Sequence, residues 1–394
     1  MSKKIIIGIT GSIAAFKAVQ LISDLVKKNF RVEVIMSESA TKFITPVCIQ
    51  SLTKRKVYVD TFDDENPAII THVDIVKDAD LFAIIPASAH TIAKLAHGFA
   101  DNMLTSAFLA ATCQKLVAPA MNVHMYENPI TQNNIQTLKE LGILFVEPIN
   151  GLLACGDIGN GKLADEEDLL EMIQYALTPK KLKGKNILIS AGPTQESIDP
   201  VRYITNHSSG KMGYALAKAA FCLGAHVTLV SGPTHLKQPY GIDLKPITSA
   251  SEMYHTIMPL APSQDIIIMS AAVGDYACVE IADEKIKKND DFLHLKLCKN
   301  KDILFELGQI KNDHQILCGF AMETEHLIEN ASEKLKKKNC DIIVANHLKT
   351  EGAGFQGDTN IVSILTHSGI KEFGLQSKDS LAYEIFELIM NMEE

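Results

Sequence analysis

The chain has 394 residues, 46% of them hydrophobic, enough for two domains of ordinary size, each with its own core. Its 47 acidic against 38 basic side chains leave a formal net charge of −9, which argues against non-specific nucleic-acid binding but leaves room for local basic sites that take phosphate. The start MSKKIIIGIT has an apolar run too short for a signal peptide or a membrane span, and the eight cysteines are scattered without a CxxC pair, so reduced thiols, no structural zinc and a cytoplasmic location are expected.

Apolar runs alternate with helical patterns almost throughout, as in parallel sheets covered by helices. KKIIIGI reads as a buried strand that turns through TGS into a helix, where Ala15, Val19, Ile22 and Val26 share one apolar face. RVEVIMS, DLFAIIPAS (80–88) and KLVAPAM (115–121) follow as strands, and ILFVE (143–147) closes the set. A helix is expected from Asp165, as N-cap, to about Leu177. TPKKLKGKN (178–186) is polar and interrupts the periodicity, which places a domain boundary there: 1–178 and 186–394, joined by a linker at 179–185. The pattern then restarts with ILISAGPT, a helix from about Lys211 to Leu223, and AHVTLVSGP. Ser249 and Glu252 have capping-box spacing before the next helix. DIIIMSAAVGDY, QILCGFAMET, DIIVANH and NIVSILT are further strand-like runs, and a helix around SLAYEIFELIMN ends the chain. The fold class is α/β, two doubly wound Rossmann-like domains without a close sequence repeat between them.

In such sheets ligands bind at the carboxyl ends of the strands. Gly8, Gly11 and Ser12 lie at the first strand-to-helix turn, where backbone N–H groups suit an anion, although GxxG is not the GxGxxG fingerprint. Ser37–Glu38 ends the second strand, where an acid marks either a dinucleotide ribose or a polar loop. PAS (86–88) and PAMN (119–122) let a flat ring approach the backbone. Asn122 either hydrogen-bonds a carboxylate or amide ligand or caps the helix at VHMYENP. His72 in IITHVDIV reads as a structural histidine or a catalyst, and Cys155 in NGLLACGDIGNG is a lone thiol among four glycines. In the second half, Gly210 and Gly213 open a helix, but the strand AHVTLVSGP ends in Ser231 rather than an acid, so a phosphate on SSGKMG is more economical than a dinucleotide. Lysines cluster in EKIKK (284–288), KNKDIL and SEKLKKKNCD, as a polyphosphate site or as solvated faces and helix ends would have them.

GITGSIAAFK, THVDIVKDADL, PAS, ADNMLTSAFLA, APAMN…MYENP and ACGDIGNGKLAD, in this order, resemble the flavin-dependent cysteine decarboxylases, specifically those acting on phosphopantothenoylcysteine, over essentially all of 1–178. The resemblance implies a flavodoxin-like domain that holds FMN, its phosphate at Gly11, Ser12 and Ile13, with Ser37, Ser88 and Ser106 as further contacts. It implies that His72 assists the oxidation as base or orienting group, that Asn122 grips the substrate carboxylate, and that Cys155 donates a proton. The glycines around Cys155 then suggest a flap that folds over the substrate.

DPVRYITNHSSGKMG, TLVSGP, AAVGDY…EKIKK, KNKDIL, GFAMET and ANH resemble the phosphopantothenate–cysteine ligases over about 185–394, so the whole chain resembles the bacterial bifunctional family of coenzyme A biosynthesis. That resemblance implies a nucleotide-binding ligase domain that joins 4'-phosphopantothenate to L-cysteine with CTP and Mg2+ through an acyl-cytidylate. Asn206, with Arg202 in the same site, would serve the substrate and the acyl-cytidylate, and Lys285 would stabilise phosphate in the transfer steps. Met269, Ser270, Ala271, Asp275, Lys285, Lys301, Asp302, Ile303, Leu304, Phe320, Lys334 and Lys338 would contact the nucleotide; the metal ligands stay unassigned. It further implies a homo-oligomer, a dodecamer of trimers and dimers; charge and the short apolar start lead to the expectation of no nucleic-acid or membrane partner. The chain departs from the family pattern at Lys301, where proline is usual, and at His347, where aspartate is frequent.

Overall fold

The computed structural model describes residues 2–62, 69–287, 293–323, 326–347 and 357–392, which form two compact units, Met1–Thr178 and Pro179–Glu394. Lys288 of EKIKK, Thr324 of GFAMET and the side chain of His347 lie outside the described residues. Among those described, no helix is long and apolar enough to cross a membrane.

In the first unit β1 (Lys4–Ile9), α1 (Ala15–Lys27), β2 (Arg31–Met36), α2 (Pro46–Thr53), β3 (Val57–Tyr58) and α3 (Thr71–Asp74) precede β4 (Leu81–Ala87). Next come α4 (Ala89–Ala96), α5 (Met103–Ala110), β5 (Gln114–Pro119), α6 (Val123–Glu127), α7 (Pro129–Glu140) and β6 (Leu144–Phe145). The hairpin β7 (Ile149–Leu152) and β8 (Ile158–Lys162) and the helix α8 (Glu166–Leu177) complete it. Six strands pair in parallel in the order β3-β2-β1-β4-β5-β6. Within the doubly wound class this is the dinucleotide-fold order; the order typical of flavodoxins is 2-1-3-4-5. Every residue of β1 and β4 is buried, which is why their sequences are continuous apolar runs and not alternations. On α1 the buried residues are Ala15, Ala18, Leu21, Ile22 and Leu25. Val19 and Val26, expected on that face, are half-buried at its margin, because the Ala18–Leu21–Leu25 row is the one docked. Asp165 is the N-cap of α8 but makes no side-chain cap bond; the acids Glu166, Glu167 and Asp168 in the first turn complement the helix dipole instead.

The second unit opens with β9 (Asn186–Ala191), the ribbon β10 (Gln195–Ser197) and β11 (Tyr203–Thr205), α9 (Lys211–Cys222), β12 (His226–Ser231), β13 (Asp243–Pro246) and α10 (Ala250–Leu260). It continues through β14 (Ile266–Met269), a second ribbon of β15 (Tyr276–Cys278) and β16 (Leu297–Lys299), α11 (Ile303–Ile310), β17 (Ile316–Glu323) and α12 (Leu327–Lys337). β18 (Ile342–His347), β19 (Thr359–Thr366), β20 (Gly369–Ser377) and α13 (Lys378–Met392) end the chain. The sheet order is β13-β12-β9-β14-β17-β18-β19-β20. The first six strands are parallel and repeat the order of the first unit; β19 and β20 are added antiparallel. Leu182, between the two sequence patterns, is buried in this unit's core. At α10, Ser249 Oγ accepts from the Glu252 N–H at 3.2 Å, and Glu252 reaches back to the N–H of Thr248, one residue earlier than a standard capping box.

In each sheet the order reverses beside its first strand, between β1 and β4 and between β9 and β14, so a crevice opens at the carboxyl ends there. α9 lies close over that crevice because Gly213 has no side chain: a Cβ there would stand 2.5 Å from Ala191 Cβ and 2.7 Å from Ser270 Oγ. Gly213→Ala is expected to lower stability by about 1–3 kcal/mol, read as a shifted midpoint in denaturant titration; an unshifted midpoint would show that α9 can back away freely.

Candidate functional site

At the first switch point Thr10, buried, ties two strand ends together. Its Oγ1 donates to Pro86 O at 2.8 Å and accepts from the Ser88 N–H at 2.9 Å. Three serines close the adjacent turns: Ser12 Oγ accepts from Ala14 N–H, Ser37 Oγ from Ala40 N–H and Ser88 Oγ from Thr91 N–H. A capping hydroxyl accepts through its oxygen and retains one O–H donor; at Ser88 the oxygen also stands 3.2 Å from Thr91 Oγ1. Gly11, Ser12, Ser37 and Ser88 line a cavity of about 900 Å³, with Met103, Leu104, Met121 and Met125 among its apolar wall. Hydroxyl donors facing an apolar wall, in a space of the size that small-molecule sites occupy, fit a flat phosphorylated ring. Asn102 and Thr105 also line it; they form a capping box at α5, a signal present in ADNMLT that the sequence reading passes over.

Other expected contacts lie elsewhere. Ser106 Oγ donates to Ala100 O and lines no cavity described here, because α5 turns that side of the helix away. His72, half-buried on α3, likewise lines neither this cavity nor the smaller one beside it. Ile13 lines a second, smaller cavity of about 370 Å³ that shares Ser12, Ala120 and Met121 with the first.

Cys155 reaches this second cavity through the β7–β8 hairpin. Met121 N–H donates to Gly161 O at 2.9 Å, and the hairpin lies flat on this segment. A Cβ on Gly159 would stand 2.5 Å from Val123 Cγ2, and one on Gly161, whose φ is +151°, 2.3 Å from Met121 O. These two glycines therefore serve close approach; Gly156, at φ +93°, serves the turn. The hairpin brings Cys155, exposed, against Asn122, the N-cap of α6. Asn122 Oδ1 accepts from His124 N–H at 2.8 Å, while its Nδ2 donates to Asp157 Oδ2 at 2.9 Å and to Cys155 Sγ at 3.2 Å. Cys155 Sγ donates to the same Asp157 oxygen at 3.3 Å. The Asn122 amide and the Cys155 thiol hold the Asp157 carboxyl below its ordinary range. Asn122 thus caps α6 through its oxygen, while its amide nitrogen is turned to the carboxylate of Asp157 and the thiol of Cys155. Asp157, two residues beyond the cysteine, was in the ACGD stretch but carried no signal of its own.

At the second switch point Ser190 plays the part of Thr10: its Oγ accepts from Ala271 N–H and its carbonyl from Ser270 Oγ. Two cavities of about 490 and 520 Å³ share Ala271, Val273, Phe320 and Lys334. The first is lined by Asn206, by the Ser208–Gly213 start of α9 and by Ser270, and Asn360 and Lys378 reach it from the end of the chain. Asn206 Nδ2 donates to Ala272 O and Val273 O, each at 3.2 Å. The second is lined by Met269, Asp275, Lys301, Asp302, Ile303, Leu304 and Lys338 as well. Lys334 Nζ donates to Phe320 O at 2.7 Å. Lys338 pairs with Asp302, and its burial draws it below the usual lysine range against the pull of Cys340 and Asp275. Lys301 stands over the Tyr254 ring at 4.1 Å, a cation–π contact that a proline could not make. Ser270 therefore faces the first cavity, whereas ten of the other eleven residues expected at the nucleotide line the second; the exception is Lys285, which is exposed and lines neither. Arg202 also lines neither: its guanidinium is held by buried Asp199 and donates to Ile286 O. Among the described residues no group of three or more His, Cys, Asp or Glu side chains could hold a metal.

The family model described as Flavoprotein matches residues 1–178, and the one described as DNA/pantothenate metabolism flavoprotein C-terminal domain matches 182–392. The coenzyme A biosynthesis bifunctional protein CoaBC of Bacillus subtilis (strain 168) is 45% identical over 393 residues, 98% of this chain and 97% of that one. A cysteine/cysteine sulfinic acid decarboxylase of an unknown prokaryotic organism is 43% identical over 356 residues, 89% of this chain and 99% of that one. A crystal structure of the C-terminal domain of a CoaBC protein is 41% identical with a TM-score of 0.47, covering 54% of this chain and 97% of that one.

Asp199 also accepts from the N–H groups of Val201, Arg202 and Ile286, and with the Arg202 guanidinium these bonds keep its carboxyl well below the ordinary range. Asp199→Asn is expected to loosen the segment before Lys288, with the Ile286 amide exchanging with solvent about tenfold faster in hydrogen-exchange mass spectrometry; unchanged protection would mean the segment is held by something else. A lowered carboxyl stabilises the fold above its unfolded value, near 3.9, and loses that effect as pH falls through the folded value. The stability gap between wild type and variant is therefore flat above about pH 5 and closes only in stronger acid.

Proposed function

The chain belongs to the family of bifunctional coenzyme A biosynthesis proteins, and from that premise we propose that it joins 4'-phosphopantothenate to L-cysteine in residues 186–394 and decarboxylates the product to 4'-phosphopantetheine in residues 1–178. The observation that carries the decarboxylase half is the meeting of Asn122 and Cys155 in a cavity that shares a wall with the serine-lined one. Gly11, Ser12, Ile13, Ser37 and Ser88 would hold the phosphate and ribityl end of FMN there, with the methionine side against its ring. When bound, FMN supplies a reversible two-electron acceptor beside the cysteine side chain of the substrate, without which loss of the carboxylate would leave an unstabilised carbanion. Asn122 orients the carboxylate, and Cys155 delivers the proton from Sγ to the carbon that has lost CO2. His72, which lines neither of these two cavities, acts in a neighbouring copy, in keeping with a homo-oligomer of trimers and dimers.

For the ligase half, a carboxylate and an amine do not condense at a useful rate unassisted, so one must be activated. The phosphopantothenate carboxylate attacks the α-phosphate of CTP, Mg2+ accompanying the triphosphate; pyrophosphate leaves and an acyl-cytidylate forms. The cysteine amine then attacks the acyl carbon and CMP leaves. Support for this reading is the pair of adjoining cavities, one bearing Asn206 and an α9 start suited to the substrate's phosphate, the other Lys334 and Lys338 for the nucleotide. Lys285 would close on the phosphates from its exposed segment, and Arg202 acts on it from behind through Asp199.

The full chain, supplied with 4'-phosphopantothenate, cysteine, Mg2+ and either CTP or ATP, is expected to yield 4'-phosphopantetheine by mass only with CTP. No new amide with either nucleotide overturns the ligase reading, and CO2 from free cysteine without nucleotide points instead to the activity for which the second relative is named. Asn206→Ala should slow amide formation about a hundredfold. Cys155→Ser should still release CO2 but not accumulate the reduced product; normal product formation by that variant removes Cys155 from the mechanism.

A further inference from the structure

The amide of Asn122 has two N–H bonds, and both are engaged in the structure: one on Asp157 Oδ2, the other on Cys155 Sγ. Its oxygen is engaged too, by the His124 N–H. A substrate carboxylate that grips Asn122 must therefore take the place of one of these acceptors. Asp157 has the same chemistry as the incoming group and the shorter bond. Two carboxylates do not share one neutral donor at close range, since each charge disfavours the other. The same hydrogen bonds keep Asp157 ionised at any pH near neutrality, so protonation offers no way for both to stay.

Resting on the reading of Asn122 as the carboxylate grip, we infer that Asp157 is an internal stand-in for the substrate carboxylate, a latch that the true carboxylate displaces. Displacement has a second effect. Asp157 Oδ2 is also the acceptor of the Cys155 S–H, so its departure frees the thiol proton at the moment a substrate with an intact carboxylate arrives. When CO2 leaves, the competing charge is gone and Asp157 returns to the amide, so the product loses the grip that held its precursor. The residue thereby weakens the hold on the acid, and on the acid alone, by the cost of its own displacement. Its location supports the motion: it lies half-buried at the tip of the β7–β8 hairpin, joined to the turn through its carbonyl, which accepts from Leu153 N–H at 2.8 Å, and through its carboxylate on Asn122 and Cys155.

The test is calorimetric binding to the full-length protein of a matched, non-reacting pair: 4'-phosphopantothenoyl-serine, which has the carboxylate but no thiol to oxidise, and 4'-phosphopantothenoyl-ethanolamine, which lacks the carboxylate. In Asp157→Asn and Asp157→Ala the ratio of acid to neutral affinity is expected to rise roughly threefold to tenfold over wild type, through the acid ligand alone. A merely structural role would move both ligands together; an unchanged or lower ratio in both variants overturns the latch. Asn122→Ala separates this from the reading beneath it. A wild-type ratio in Asn122→Ala overturns the carboxylate grip itself, whereas a collapsed ratio there with no rise in the Asp157 variants overturns the latch alone.

Discussion

Both sheets are buried on both faces along their central strands, and that constraint decides where chemistry can occur. β1, β4 and β14 expose no residue, and β9 exposes only its first. Apart from Met269 at the very end of β14, which lines a cavity, strands so placed contribute stability and nothing a diffusing ligand can reach. Polar work is left to the carboxyl edge, where the chain leaves the ladder and its backbone groups must find other partners. The two units meet that demand alike: a single buried hydroxyl, Thr10 in one and Ser190 in the other, links the end of the first strand to that of the fourth and sets the width of the crevice between them.

The first unit adds something from outside the sheet. Its cysteine is carried on a ribbon that has no place in the ladder and touches the site only because two side chains are missing. Gly159 and Gly161 let the ribbon settle on Met121–Val123 at backbone distance, closer than any L side chain would allow. The meeting of Cys155 and Asn122 is thus fixed from behind by atoms that are not there. Neither glycine need touch a ligand, yet each determines the separation on which the thiol depends.

Much of this was legible in advance. KKIIIGI and DLFAII read as doubly covered parallel strands because they lack alternation, and residues just after strands were natural site candidates because the doubly wound fold puts ligands there. Gly11, Ser12, Ser37, Ser88 and Asn122 reached the crevices for that reason. What escaped depended on the docking angle of an element or on distant chain. The spacing of Val19 and Val26 is compatible with the face of α1 but does not fix its rotation, and Ser106 differs from Thr105 only in the direction it points from α5. Arg202 was expected in the substrate site by resemblance, and a resemblance does not show the buried carboxylate three residues earlier that holds its guanidinium. Asn360 and Lys378 come to the cavity at the start of α9 from a part of the chain more than a hundred residues beyond α9, through strands whose antiparallel return no local pattern announced.

The helix ends at the carboxyl edge of the second unit differ in who fills them. α10 begins on buried Glu196, whose carboxylate accepts from the Ala250 N–H at 2.9 Å, and α11 begins on Asp302, which accepts from the Phe305 N–H. α9 begins on Gly210, at φ +77°, which has no side chain to offer and where a Cβ would stand 2.7 Å from Thr234 Cγ2. The chain thus occupies the starts of α10 and α11 with its own carboxylates and opens α9 on a residue that carries none. For a protein of net negative charge the contrast matters: an anion approaching α10 or α11 meets a carboxylate already seated there, whereas the first residue of α9 brings none.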